Sequence, residues 1–220
     1  MPELPILYSF RRCPYAMRAR MALYVNDIAV QLREVELKNK PKEMIDVSPK
    51  ATVPVLVVND SQVIDESLDI IRWALKLRDK QGWIENFTTD QKNHMDSLIE
   101  ENDSNFKQHL DHYKYADRFP DNSADYYRKQ GEVFLKKLEL QLSQSGFLFG
   151  ENISIADIAI FPFIRQFAYV DIGWFKQSEY SHLIQWLQYF IDSPDFIAVM
   201  KKNPVWAKGE PVVIFKRESS

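Results

Sequence analysis

The chain has 220 residues, 45% of them hydrophobic, which is enough to bury a core and allows one large or two small domains. Its 28 Lys and Arg against 31 Asp and Glu leave a net charge of -3, with the basic residues spread along the chain, which argues against nucleic acid or an anionic membrane surface as a partner. One cysteine excludes an internal disulfide, no apolar run reaches membrane-spanning length, and the opening MPELPILYSF lacks the charged start and long apolar stretch of a secretory leader, so a soluble, cytoplasmic protein is expected.

In chain order, LPILYSF reads as a strand, residues 14–26 as a helix, VQLREVEL as a second strand and VPVLVVND as a third. The near-continuous apolar run from Val53 to Val58 suits a strand covered on both faces, and SQVIDES supplies a fourth strand close enough for a hairpin. A helix from Asp65 to Lys80, with Leu68, Ile71 and Leu75 on one stripe, closes the unit. This order predicts a thioredoxin-like α/β domain over residues 1–80. After DKQGWIENFTTD the strand signal stops. Met95, Leu98, Ile99, Asn102, Phe106, Leu110 and Tyr113 recur at helical spacing, and Tyr127, Phe134, Leu138 and Leu142 repeat the pattern. Further helix starts fall at Ser154, near Tyr180 and at Pro194, so residues 88–220 are expected to form an all-helical domain with a C-terminal tail, in which the run from Val212 to Phe215 packs as a strand-like cover.

Chemistry concentrates at Cys13. Pro14 lacks an N–H and has a fixed φ, so it belongs at the first position of a helix, which makes Cys13 the N-cap. There the helix dipole favours thiolate over thiol, and Arg11 and Arg12 add positive charge. A small buried hydrophobe is the alternative, disfavoured by the polar flanks and by a place at the C-terminal end of the first strand, where open α/β sheets hold ligands. Ala16 stands where a dithiol helix would carry its second cysteine, so a mixed disulfide at Cys13 would have to be released by a thiol from solution.

Two more stretches can bind. Val53-Pro54 is either a proline tolerated at a strand start or a cis bond presenting the backbone of Val53 beside the thiol. IDESLDI reads as a capped helix start, with Asp65, Glu66 or Ser67 capping. The same helix start with a spare hydroxyl can also take a carboxylate, and Glu66 an ammonium, as in an amino-acid head group.

YSFRRCPYAMRAR, LKNKP at 37–41, TVPVL at 52–56 and DES at 65–67 together resemble the glutathione-binding domain of glutathione transferases, most of all the omega-like, cysteine-containing class. FGENISIADIAIFPFIRQF is similar to the helical-domain signature of the same superfamily. The resemblance implies the glutathione transferase fold, with Cys13 as the catalytic cysteine that forms a mixed disulfide with glutathione. It further implies Val53 and Pro54 at the tripeptide's cysteinyl part, Glu66 and Ser67 at its γ-glutamyl end, and Lys40 near the glycyl carboxylate. Glutathione would be the cosubstrate, no metal is implied, and a homodimer is expected by analogy. The activity implied is a thiol transferase or reductase acting on glutathionylated or oxidised small substrates. Conjugation of glutathione to electrophiles, or a non-enzymatic binding module, are the alternatives.

Against that pattern, Lys50 and Ala51 stand where the family often has glycine, implying a differently shaped loop, and no terminal helix is evident in VWAKGEPVVIFKRESS. Tyr8 and Ser9 are read as strand-end residues. Ser154 to Asp157 reads as a capping box that starts a buried helix, which Pro162 should kink. His109 and His112 share a helix face and are expected to be solvated, while Trp174, Phe175, Trp186, Tyr189 and Phe190 are expected in the helical core.

Overall fold

The structure, a computed structural model, describes residues 3–218; Met1, Pro2, Ser219 and Ser220, the ends of the two segments expected from the sequence, lie outside the described residues. The chain divides into two compact units, one made of the residues up to Gln81 together with those from Pro194 on, the other spanning Gly82–Ser193.

In the first unit the elements follow the order β1 (Ile6–Ser9), α1 (Pro14–Val25), β2 (Val30–Glu34), α2 (Lys42–Val47), β3 (Val55–Asn59), β4 (Gln62–Ile64) and α3 (Ser67–Leu77). This is the thioredoxin-like arrangement that the pattern predicts. β1 lies at the centre of the sheet, parallel to β2 with Leu7 opposite Leu32, and antiparallel to β3 with Leu7 opposite Leu56. β2 alternates buried and half-buried side chains, while β3 is buried only at Val55 and Leu56 and opens towards Asn59. The run from Val53 to Val58 is therefore covered on both faces only in its first half, because the strand beyond it, β4, is short and largely exposed.

Residues 194–218, expected to end the helical domain, group instead with the sheet. The short helix α10 (Pro194–Val199) packs against α1, and β5 (Val213–Phe215) pairs antiparallel with β2, placing Phe215 opposite Val30 and Val213 opposite Leu32. The strand order is thus β4-β3-β1-β2-β5. The cover expected from the sequence turns out to be an edge strand of the sheet itself, and its pairing satisfies backbone groups that β2 would otherwise expose.

α1 is buried along its whole length, every residue except Tyr15 being inside, although it contains Arg18 and Arg20. At its end the Asn26 side chain donates to the Ala22 carbonyl at 2.8 Å and accepts from the Lys80 N–H at 2.9 Å, tying α1 to the segment after α3. Asp27, in the left-handed region at φ 55, pairs with Lys80 at 2.6 Å and is held below the usual carboxylate range chiefly by that hydrogen bond.

The second unit is helical. α4 (Thr89–Glu101) starts on a Thr88/Gln91 capping box and passes through a π-helical turn, Asn102–Phe106, into α5 (Lys107–Lys114). All seven residues from Met95 to Tyr113 singled out by their spacing are buried. Asn102, Phe106 and Leu110 follow one another at intervals of four, which drift around an ordinary α-helix, and the wider π turn keeps them on the inner face. α6 (Ala124–Leu142) buries Tyr127, Phe134, Leu138 and Leu142. α7 (Ile155–Ala168) begins at the Ser154/Asp157 capping box. Fully buried Asp157 also accepts from the Leu148 N–H at 3.0 Å and the Trp186 indole at 2.8 Å; burial raises its pKa and these donors oppose the rise. Pro162 lies within α7, whose helical assignment runs unbroken across it, and leaves the Ile158 carbonyl without its helical donor. The short α8 (Ile172–Gln177) and α9 (Ser181–Asp192) complete the unit. Phe175, Trp186 and Phe190 are core as expected, but Tyr189 is 53% exposed and Trp174 only half-buried. His112 is half-buried, its ring 4.1 Å from that of Phe119 and 5.0 Å from that of Tyr127.

α6 approaches α7 at Gly131, where an added Cβ would stand 2.5 Å from a ring carbon of fully buried Phe167. Gly131→Ala is expected to lower stability by about 1–3 kcal/mol despite the better helix propensity of alanine. A thermal melt of the two proteins checks this, and an unchanged or raised midpoint contradicts it.

Candidate functional site

Cys13 caps α1 with extended backbone, φ -76 and ψ 124, and Pro14 follows at the first helical position, as the sequence requires. Its N–H closes a turn onto the Phe10 carbonyl at 3.0 Å, and its carbonyl receives the Met17 N–H at 2.9 Å. The sulfur does not accept from the helix N–H groups. Instead the thiol donates to the Val53 carbonyl at 3.7 Å, and Cys13 is half-buried rather than sealed in the core.

Val53-Pro54 is a cis peptide. Val53 packs on a cluster of Tyr8, Val35, Met44 and Val55, against which Trp206 also lies. Tyr8 is a member of that cluster, its hydroxyl accepting from Arg33, whose guanidinium lies 4.2 Å from the Trp206 ring centre. Burial pushes the Tyr8 pKa up, which suits a packed strand residue.

Ahead of Pro54, Ala51 takes φ 51, the left-handed conformation that glycine adopts without cost. Alanine therefore stands in a turn of the kind that glycine favours. Lys50 next to it reaches the start of α3, where its ammonium pairs with Glu66 and lies 3.5 Å from Asp65. Glu66 is the exposed N-cap of α3, and Asp65 accepts from the Ser48 hydroxyl at 2.9 Å. Ser67 is buried, and its oxygen accepts from Arg18 Nε at 3.0 Å, so the hydroxyl proton can be turned towards another acceptor. Lys40 stands apart from these contacts, half-buried in the loop just before Pro41, the N-cap of α2.

Of the residues predicted from sequence, Cys13 and Val53-Pro54 are brought into direct contact. Ser67 is tied to α1 through Arg18, while Glu66 pairs with Lys50. The residues that sequence reasoning passed over are Arg18, Arg20, Glu34 and Lys50. Arg20 is fully buried and donates to the Arg11 carbonyl at 2.8 Å, while Glu34 accepts the Arg11 N–H at 2.7 Å. Burial lowers the Arg20 pKa to about 10, the charges of Glu34 and Cys13 acting against that fall, and burial likewise pushes Glu34 up. Arg11 and Arg12, the arginines that the sequence places beside the thiol, reach elsewhere: Arg11 to the Met200 carbonyl at 3.4 Å and Arg12 over the Phe10 ring. The available signal was two charged residues in a helix whose other positions are mostly apolar, since buried arginines occur almost only with partners. Among the described residues no group of three His, Cys, Asp or Glu side chains is placed to hold a metal ion, and no helix is long and apolar enough to cross a membrane.

A glutathione S-transferase N-terminal domain model matches residues 7–82, and a glutathione S-transferase C-terminal domain model matches residues 124–188. The chain belongs to the glutathione transferase superfamily. It is similar to human glutathione S-transferase omega-2, 37% identical over 62 residues that make up 28% of this chain and 26% of that protein. It is also similar to Escherichia coli glutaredoxin 2, 34% identical over 74 residues, 34% of each chain. The matched stretch thus spans only about a quarter to a third of the length of these curated relatives. Among solved structures, a glutathione transferase family member from Pseudomonas fluorescens with two glutathione bound superposes with a TM-score of 0.78 at 17% identity, covering 91% of this chain and 93% of that one. A Phanerochaete chrysosporium glutathione transferase in complex with oxidized glutathione gives 0.77 at 18% identity, covering 90% and 95%. These superpositions establish the glutathione transferase fold.

Ala51 supplies a direct check on the loop. Relieving a non-glycine residue at positive φ outweighs the entropy cost of glycine, so Ala51→Gly is expected to raise stability by up to about 1 kcal/mol. A lower midpoint in chemical denaturation is the contrary result.

Proposed function

We propose that this protein is a glutathione-dependent thiol transferase or reductase working through a Cys13-glutathione mixed disulfide. The observation that carries the reading is the half-buried thiol at the start of α1, 3.7 Å from the Val53 carbonyl that precedes cis Pro54. A sulfur there lies beside a backbone edge that can pair with a peptide. The N-terminal partial charge of α1 favours its thiolate. The Cys13 thiolate attacks the glutathione sulfur of a glutathionylated substrate, the substrate thiolate leaves, and a protein-glutathione disulfide forms. The thiolate of a second glutathione then attacks that sulfur, releasing glutathione disulfide and restoring the Cys13 thiolate. No second cysteine exists to do this within the chain.

In this reading Val53 and Pro54 hold the cysteinyl part of glutathione, Glu66 its α-ammonium and Ser67 its γ-glutamyl carboxylate. Lys40 meets the glycyl carboxylate. Arg18 supports Ser67 by donating to its oxygen, which leaves the hydroxyl proton for the ligand. The reading is supported by the likeness to omega-class transferases and to a glutaredoxin, and by neighbours of the same fold that hold glutathione. A homodimer working in the cytoplasm completes the proposal.

Intact-mass measurement after incubation with oxidised glutathione tests it. Wild type is expected to gain one glutathionyl group and Cys13→Ala none, with Cys13→Ser losing the deglutathionylating activity. An unmodified wild type, or a fully active serine variant, overturns the mechanism. Lys50 gives a second check, because its ammonium already pairs with the carboxylates that the ligand's ammonium needs. An exposed pair of this kind contributes about 0.2–1 kcal/mol, so Lys50→Ala is expected to lower the KM for glutathione by up to about fivefold. A raised KM would assign Lys50 to binding instead.

A further inference from the structure

Behind Cys13 lies a buried pair of charges that the proposed chemistry does not use. Arg20 is fully buried in α1 and Glu34, at the end of β2, is 8% exposed. Their closest approach, Arg20 Nη1 to Glu34 Oε2, is 3.9 Å, too long for a hydrogen bond. Those two atoms and Arg20 Nε are buried without a hydrogen-bond partner among the described residues. As a stabilising ion pair this arrangement is poor, since both desolvation costs are incurred and the direct bond is not made.

What both side chains do make is a grip on the backbone of one residue, Arg11, through the two peptide groups that flank its Cα. Glu34 Oε1 accepts the Arg11 N–H at 2.7 Å, and Arg20 Nη2 donates to the Arg11 carbonyl at 2.8 Å. Arg11 lies two residues before Cys13, inside the turn that the Cys13 N–H closes onto Phe10. Arg20 Nη2 also touches the Met200 sulfur at 3.9 Å, and the Arg11 guanidinium reaches the Met200 carbonyl, so the end of α10 closes the far side of the same loop.

We infer that Arg20 is a positioning residue for Cys13: its buried guanidinium, opposed by Glu34 across the backbone of Arg11, fixes the loop that carries the thiol and adds positive charge beside it. The inference rests on the reading of Cys13 as the nucleophile. Arg11 and Arg12 lie on the thiol's own loop but reach elsewhere, Arg20 lies on α1 and Glu34 on β2, and the segment before β3 offers the Val53 carbonyl. Arg20 and Cys13 interact electrostatically, each favouring the charged form of the other. Glu34 has the opposite sign. The two members of the pair should therefore act on thiolate reactivity in opposite directions, although both hold the backbone of the same residue.

That difference in sign is the test. The rate at which iodoacetamide alkylates Cys13, the thiolate displacing iodide, is followed between about pH 5 and pH 10, where a free thiol would show a midpoint near about 8.5. Glu34→Gln keeps an acceptor for the Arg11 N–H and removes the negative charge; it is expected to raise the rate at about pH 6 by threefold or more. Arg20→Met is expected to lower that rate about tenfold, and Arg20→Lys, which keeps the charge but not the planar fork, to recover part of it. At about pH 10, where every form is ionised, the folded variants should agree with wild type within about threefold. Slowing by Glu34→Gln, or no change, makes the pair merely structural and overturns the inference; so does an unaltered pH profile in folded Arg20→Met. Should Arg20→Met fail to fold, Glu34→Gln decides alone. A wild-type profile identical to that of a free thiol overturns instead the reading of Cys13 on which the inference stands.

Discussion

A helix enclosed on every side can carry a charge only if something inside the protein answers it, and α1 carries two. Arg18 and Arg20 point away from a helix whose other residues, Tyr15 aside, are buried with them. Fully buried arginines occur almost only where hydrogen-bond acceptors are fixed to meet them. The first unit answers them from three places: the Ser67 hydroxyl at the start of α3 and the Arg11 carbonyl ahead of Cys13 accept hydrogen bonds, and the Glu34 carboxylate at the end of β2 supplies a countercharge 3.9 Å from Arg20. The demands of one helix thereby fix the relative positions of three segments that lie far apart in sequence, one of them the loop that carries the thiol.

The remaining wall of the site is set by apolar packing. Val53 rests on the cluster of Tyr8, Met44 and Val55, with Trp206 packed against it, so the carbonyl facing the sulfur belongs to a residue held from behind by rings and branched side chains. A rigid backbone edge on one side and a polar clamp on the other confine Cys13 without burying it. The charged rim at Asp65, Glu66 and Lys50 is exposed and held by ion pairs, which are weak in water and open to exchange. Rigid parts thus surround the sulfur, and exchangeable ion pairs form the rim at the start of α3.

Local signals made much of this legible in the sequence. Pro14 after Cys13 marks the helix start, the βαβ alternation gives the order of the first unit, and the intervals from Met95 to Tyr113 mark a buried face. Pairings between distant segments were not legible. Nothing in the spacing of Val213–Phe215 indicates β2 as its neighbour, because a three-residue edge strand carries no period long enough to read, and so residues 194–218 were assigned to the wrong unit. The same limit hid Arg20 and Glu34, whose significance appears only when both meet the backbone of Arg11. At Ala51 composition misled, since alanine stands in a backbone conformation that usually selects glycine.

Residues 194–218 also impose an order on events during synthesis. The β-sheet of the first unit is missing one edge, and α1 one flank, until a stretch made after the entire helical unit has been translated comes back to them. Domains generally fold as units, earliest part first, but here the earliest part cannot close early. The loop bearing Cys13 gains its contact with Met200 only at that late stage, so a nascent chain holds its thiol in an unfinished setting until the ribosome has passed the helices.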